Sequence, residues 1–296
     1  MNTTLNHPRY AIDTCAMLTE FNASVWTARK LDRTATEEVV VAKNAAAKDA
    51  ARVNKSLLAG RNELEVIQSM VGRARAFVYD NTLPWSDSGL RLLPTANFEK
   101  FVAKMNDFEE EFTTLVTNFV DIYPTLITAQ AMALGDMFRR DEYPTQNEIM
   151  TKFAFRVNYM PVPTAGDFRV DVGNAAMDDI KAKLARLAEE RVEEAMKDVR
   201  ARLGEHLKRM SDRLTTDWVA GEAKQRRFHD SLVDGALELC DLTKNLNVVN
   251  DQELESARAT LEQLLCGVTP DELRKNHAVR QDTKKAVDDL LSKFSF

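Results

Sequence analysis

The chain has 296 residues, enough for one large or two ordinary domains, and its 44% hydrophobic and 29% charged residues supply both a core and a solvated surface. Ten glycines and eight prolines are too few for a loop-rich or all-β protein. A net charge of −6 does not point to a nucleic-acid binder, although a local basic face can exist on an acidic chain.

The first segment, residues 1–33, opens with MNTTLNHPRYAID, which lacks the basic start and apolar run of a secretion signal. It ends in WTARKLDR, a small basic cluster beside an aromatic: Trp26 with Arg29, Lys30 and Arg33. Residues 34–80 then carry apolar or small side chains at Val39, Ala42, Ala46, Ala50, Val53, Leu57, Gly60, Leu64, Ile67, Val71, Ala74 and Val78. Steps of three and four sustained over that length predict one long coiled-coil-like arm of roughly 60 Å, capped by Thr34 or Thr36 ahead of Glu37 and Glu38.

Turn formers crowd into YDNTLPWSDSGLRLLP, residues 79–94, where that arm must end. The reading is a buried corner anchored by Trp85, Leu90, Leu92 and Leu93; the competing one is an interaction loop presenting Trp85, Asp87 and Arg91. A helical head occupies 81–150, with Phe98, Phe101, Met105, Phe108, Phe112, Leu115, Phe119 and Ile122 on one face and an expected stop near Tyr123-Pro124. In 151–173 the period changes to two, Phe153/Phe155/Val157/Tyr159 and Phe168/Val170/Val172 around a Pro/Gly turn, which predicts a β-hairpin.

A second long helix spans 174–218 along the seam Ile180, Leu184, Leu187, Val192, Met196, Val199, Leu203, Leu207, Met210, Leu214 and Trp218. Two long helices suggest an antiparallel pair within the chain; self-association into a homo-oligomer is the competing explanation. Residues 219–296 return to helices as a C-terminal bundle, one helix bracketed by Asp251 and Gly267 and the next opened by Thr269-Pro270. The fold class read from these segments is mainly α: an elongated antiparallel coiled-coil-like pair of long helices with a helical head, a small β-hairpin and a C-terminal bundle.

Recognisable chemistry is sparse. The chain contains no Gly-rich phosphate loop, GxSxG or HExxH, and no Glu-x-x-His pair of a di-iron bundle. Four histidines and three cysteines lack metal-ligand spacing, so neither a cofactor nor a metal is expected. The odd, scattered Cys15, Cys240 and Cys266 fit reduced thiols in a cytoplasmic compartment, the latter two buried beside leucines. No run approaches the roughly 20 apolar residues of a membrane span, so no membrane partner is expected. Acidic runs such as Glu109-Glu110-Glu111 and Glu189-Glu190 with Glu193-Glu194 read as solvated faces.

The strongest charged feature lies between Lys197 and Arg227. Nine bases, Lys197, Arg200, Arg202, Lys208, Arg209, Arg213, Lys224, Arg226 and Arg227, face five acids there, with Trp218 and Phe228 as stacking surfaces for single-stranded DNA if exposed.

Five blocks in order, WTARKLDR, TLPWSDSGLRLLP, ALGDMF followed by YP, YMPVPTAGDFRV and FHDSLVDGALELCDLTKNLNV, resemble a family of tailed-bacteriophage proteins of unknown function over nearly the whole chain. The resemblance implies a phage protein in the host bacterial cytoplasm, and an adaptor role beside chelatase-like AAA+ ATPases and von Willebrand-type proteins. It carries over no catalytic residue. The expectation is therefore a non-enzymatic, self-associating interaction protein that docks a phage AAA+ machine or a host defence or replication factor. The alternative is a single-stranded nucleic-acid-binding protein of phage DNA metabolism.

Overall fold

Apolar positions at steps of three and four, between well-formed caps, make most of this chain helical. In chain order the elements are α1 (Ile12–Cys15), β1 (Ala16–Ser24), β2 (Arg29–Leu31), α2 (Arg33–Ala42), β3 (Asn54–Ser56), α3 (Glu63–Asn81), β4 (Leu83–Pro84) and β5 (Arg91–Pro94). There follow α4 (Phe98–Ala133), α5 (Gln146–Met150), β6 (Ala154–Met160), α6 (Asn174–Leu214), β7 (Thr216–Val219), β8 (Glu222–Gln225), α7 (Ser231–Leu246), α8 (Gln252–Leu265), α9 (Pro270–Lys275) and α10 (His277–Lys293). This computed structural model describes residues 12–47, 49–163, 174–219 and 222–294, without the side chains of residues 13, 174–178, 217–219 and 222–225. The fold is mainly α with a small antiparallel sheet of strand order β4-β5-β1-β6, so the coarse fold class holds.

The chain divides into two discontinuous units, residues 1–20, 78–101 and 158–296, and residues 21–77 and 102–157.

In the second of these units the expected 34–80 arm is two helices with an irregular connection. α2 buries no residue at all, and the chain leaves it through Lys43 and Asn44, the latter at φ 49°. The Ala-rich seam explains the misreading, because alanine satisfies a periodic pattern yet has little apolar area to hold a helix against anything. A stronger demand organises the connection. Lys55 on β3, opposite Lys30 on β2, is 3% exposed at its side chain. Its ammonium donates to the Met137 carbonyl at 2.8 Å and pairs with Glu142 at 2.7 Å and Asp32 at 3.5 Å. Asp32 also caps α2 by accepting from the Ala35 amide. That amide first, then Lys55 against the opposing effect of burial, holds its carboxyl below the usual carboxylate range.

The antiparallel pair in this unit is α3 with α4. Phe77 packs on Phe108, Arg73 pairs with Glu111, and Gln130 donates to the Ala59 carbonyl, so one index falls as the other rises. α4 does not stop near Pro124 but runs through it to Ala133. Proline removes the amide that would bond Val120. The Gln146 side chain replaces it, donating to the Val120 carbonyl at 3.0 Å. An aromatic cluster of Trp26, Phe119, Tyr123 and Phe153 fills the space beside that stretch.

In the other unit α6 is the spine. Its buried stripe, Val192, Met196, Val199, Leu203, Leu207, Met210 and Leu214, packs on α7 and α10, with Leu254, Leu261, Leu265, Val287 and Leu290 completing the core. Only the later part of the predicted seam is buried; Leu187 is exposed. The helix ends at Leu214 rather than Trp218, which lies in β7, because β-branched Thr215 and Thr216 favour the extended hairpin β7–β8 that follows. The predicted partner strand for β6, Phe168/Val170/Val172, falls outside the described residues.

The corner 79–94 is a small antiparallel ladder, with Leu83 opposite Leu92 and Leu18 opposite Leu92 on its other side. Leu83, Trp85, Leu92 and Leu93 are buried. The bundle's caps are the expected ones: Asp251 accepts from the Glu253 and Leu254 amides, and Thr269 with Glu272 forms a capping box with Pro270 at the first helical position.

Candidate docking groove between α6 and α7

Helix α7 carries apolar side chains beyond its fully buried stripe. Val233, Ala236, Cys240 and Leu246 enter the core, while a second stripe at steps of three, four and three, Leu232, Gly235, Leu239 and Leu242, is only half-buried. Opposite it on α6, at steps of four, three and four, stand Arg202, His206, Arg209 and Arg213. Together they wall a cavity of about 980 Å³, with Asp80, Glu205, Glu238, Arg227, Phe228, His229 and Ser231 around it.

His206 joins the two walls. Its ring nitrogen Nε2 lies 3.1 Å from the Leu232 carbonyl and Nδ1 lies 3.3 Å from the Arg209 guanidinium. Only the neutral tautomer with the proton on Nε2 satisfies both, because a guanidinium can only donate. Burial lowers the His206 pKa below its ordinary value; the Leu232 carbonyl opposes this and Arg209 reinforces it. A Cβ at Gly235 would meet His206 Cε1 at 3.6 Å, an ordinary contact, so the fold itself does not demand glycine there.

The basic residues of the Lys197–Arg227 segment do not share one free face. Arg202 donates to the Asp80 and Thr82 carbonyls at 3.0 and 3.1 Å and pairs with Asp198 at 2.7 Å. Arg200 is paired with Asp251, and Arg226 with Asp212. Lys197 lines a separate depression with Glu190, Glu193 and Glu194, and Lys208 is exposed away from the groove wall. Lys224 is on β8, its side chain outside the description, as is that of Trp218. Arg209, Arg213 and Arg227 are exposed at one end of the groove. Among the described residues the Arg213 and Arg227 guanidiniums have no ion-pair partner. Arg29 and Lys30 on β2 and Arg33 at the start of α2 are exposed and belong to the other unit.

Phe228 is not a free stacking platform. The guanidiniums of Arg274 and Arg280 lie 5.1 and 5.4 Å from its ring centroid. Arg280 is 1% exposed and contacts main-chain carbonyls: Nε to Leu214 at 3.0 Å, Nη2 to Arg213 at 2.6 Å and to Arg226 at 2.8 Å, and Nη1 to Leu273 at 3.4 Å. It ties the foot of the β7–β8 hairpin to the end of α6 and so sets where Arg227 and Phe228 begin.

Of the proposed interaction loop, Trp85 is 5% exposed, with Arg191 5.3 Å over its ring. Arg91 is turned inward, donating to the Thr82 hydroxyl at 2.6 Å and the Thr82 carbonyl at 3.0 Å. These two residues build the corner; Asp87 alone of the three is exposed. Cys240 is buried as expected, its thiol pushed up to about 11 chiefly by burial and therefore unreactive. Cys266 is exposed, against expectation, because it caps α8 in extended conformation just before Gly267 at φ 78°.

Among the described residues no three His, Cys, Asp or Glu side chains are placed to hold a metal ion, and no helix is long and apolar enough to cross a membrane. No protein-family model, characterised protein or solved structure matches the chain.

Proposed function

We propose that this is a non-enzymatic interaction protein that docks a protein partner in the groove between α6 and α7. The observation that carries the reading is the juxtaposition of the half-buried Leu232–Gly235–Leu239–Leu242 stripe with the exposed Arg209, Arg213 and Arg227. Protein interfaces join an apolar centre to a polar rim in which arginine is enriched. Single-stranded nucleic acid needs exposed stacking surfaces as well as charge. Here Phe228 is covered by two guanidiniums, and Arg200, Arg202 and Arg226 are engaged internally.

In the phage setting implied by the sequence blocks, the partner would be a phage AAA+ machine or a host factor, and self-association would add avidity. The experiment is capture of the partner by wild-type protein and by Arg209→Glu/Arg213→Glu/Arg227→Glu, with light scattering on the same samples. Capture by the wild type and its loss in the triple variant supports the reading. Equal capture by both refutes the groove. A salt-titrated anisotropy measurement with single-stranded and duplex DNA decides against the reading if the arginines instead give micromolar DNA binding with a steep salt slope.

A further inference from the structure

Resting on that docking reading, we infer that the groove takes a single amphipathic α-helix of the partner, with leucine-type residues against α7 and carboxylates against the arginine end of α6. Gly235 is the point of closest approach. The geometry points to a helix on three grounds.

Leu232 and Leu242 are ten residues apart on α7, so the apolar wall is about 15 Å long, roughly three helical turns. A row of side chains at steps of three and four on α7 forms a ridge of the kind a second helix packs against. The groove is graded in charge: Arg209, Arg213 and Arg227 gather at the end where α6 finishes and α7 begins, whereas Glu205, Asp80 and Glu238 border it farther along, where Arg202 is already paired with Asp198. A helix whose carboxylates lie toward one end is therefore oriented as well as bound.

The third ground is the glycine. Gly235 lies in the second turn of α7, inside the helix, where glycine is less favourable than alanine; its conformation is ordinary helix and the fold has room for a Cβ. Its lack of a side chain lowers the apolar stripe between Leu232 and Leu239, beside His206, where a second helix can bring its backbone close.

The test is fluorescence anisotropy with a labelled, hydrocarbon-stapled peptide of about three to four turns, bearing leucines on one stripe and glutamates on the adjoining one. Controls are a scramble of the same composition, the same peptide with lysines for glutamates, and oligo-dT. The helical acidic peptide should bind, with affinity falling at least about tenfold, or about 1.4 kcal/mol, in Gly235→Leu and in Arg213→Glu/Arg227→Glu. The scramble should not bind. Gly235→Leu and Arg213→Glu/Arg227→Glu should each keep the wild-type far-UV circular dichroism and melt close to wild type, which separates the loss of binding from a loss of folding. Equal binding of the scramble, or of Gly235→Leu, overturns the helical occupant. Tighter binding of oligo-dT, lost in the arginine variant, overturns it in favour of nucleic acid. If no peptide binds, the helix inference falls, while the docking reading falls only if partner capture is also indifferent to Arg209, Arg213 and Arg227.

Discussion

Arg280→Met keeps the apolar stem of a side chain that is 1% exposed and deletes its donors. Three close acceptors lose their partner: the Arg213 and Leu214 carbonyls in the last turn of α6, at 2.6 and 3.0 Å, and the Arg226 carbonyl at 2.8 Å. Helix-end carbonyls have no intrahelical partner, and their partial negative charge suits a cation. Each buried carbonyl left unpaired costs roughly 1–3 kcal/mol. Removing the charge also removes its desolvation cost, so the expected net loss is about 3–5 kcal/mol. Arg280→Lys retains the charge but not the planar fork, and should lose about 1–3 kcal/mol. Urea unfolding followed by far-UV circular dichroism measures both. A Met variant within about 1 kcal/mol of wild type would refute the assignment of Arg280 as the clamp between α6 and the β7–β8 hairpin.

Three further outcomes are expected. Gln146→Ala should cost about 1 kcal/mol by orphaning the Val120 carbonyl, and close to nothing in a Pro124→Ala background where an amide is restored, giving a coupling of similar size in a double-mutant cycle. His206 has a folded-state pKa depressed by burial, so its contribution to stability is complete above its unfolded value of about 6.5 and declines as pH falls below that. Chemical unfolding at pH 7.5 and pH 5.5 should therefore show a loss in wild type that His206→Gln reduces. Lys55→Met leaves Asp32 and Glu142 facing one another without a cation and the Met137 carbonyl unpaired; a loss of about 3–5 kcal/mol is expected in thermal or urea unfolding.

The elements legible in the sequence are those whose signal is local. Asp251, Thr269-Pro270 and Gly267 act on their nearest neighbours, so the bounds of α8 and α9 follow from side-chain chemistry alone. The seam of α6 from Val192 to Leu214 uses large side chains, whose burial is strong enough to enforce the periodicity it suggests. The 34–80 arm failed because its pattern rested on alanines, while the deciding contacts were distant. Lys55 finds Asp32 and Glu142, and neither spacing is visible as a motif. Pro124 misled in the same way, since its remedy comes from Gln146 on another helix.

The groove was half legible. The arginines were visible, but counting nine bases against five acids along one segment could not show that Arg200 is matched by Asp251. The apolar wall has a sequence signal of its own, the excess of leucines on α7 beyond one core stripe, with a glycine among them.

Photo-crosslinking tests the docking groove most directly. A benzophenone-bearing residue replaces Leu239, at the middle of the groove, or Asp87, at the exposed tip of the corner. A covalent adduct with the captured partner is expected from position 239 and none from position 87. An adduct from position 87 with none from position 239 would contradict docking in the groove.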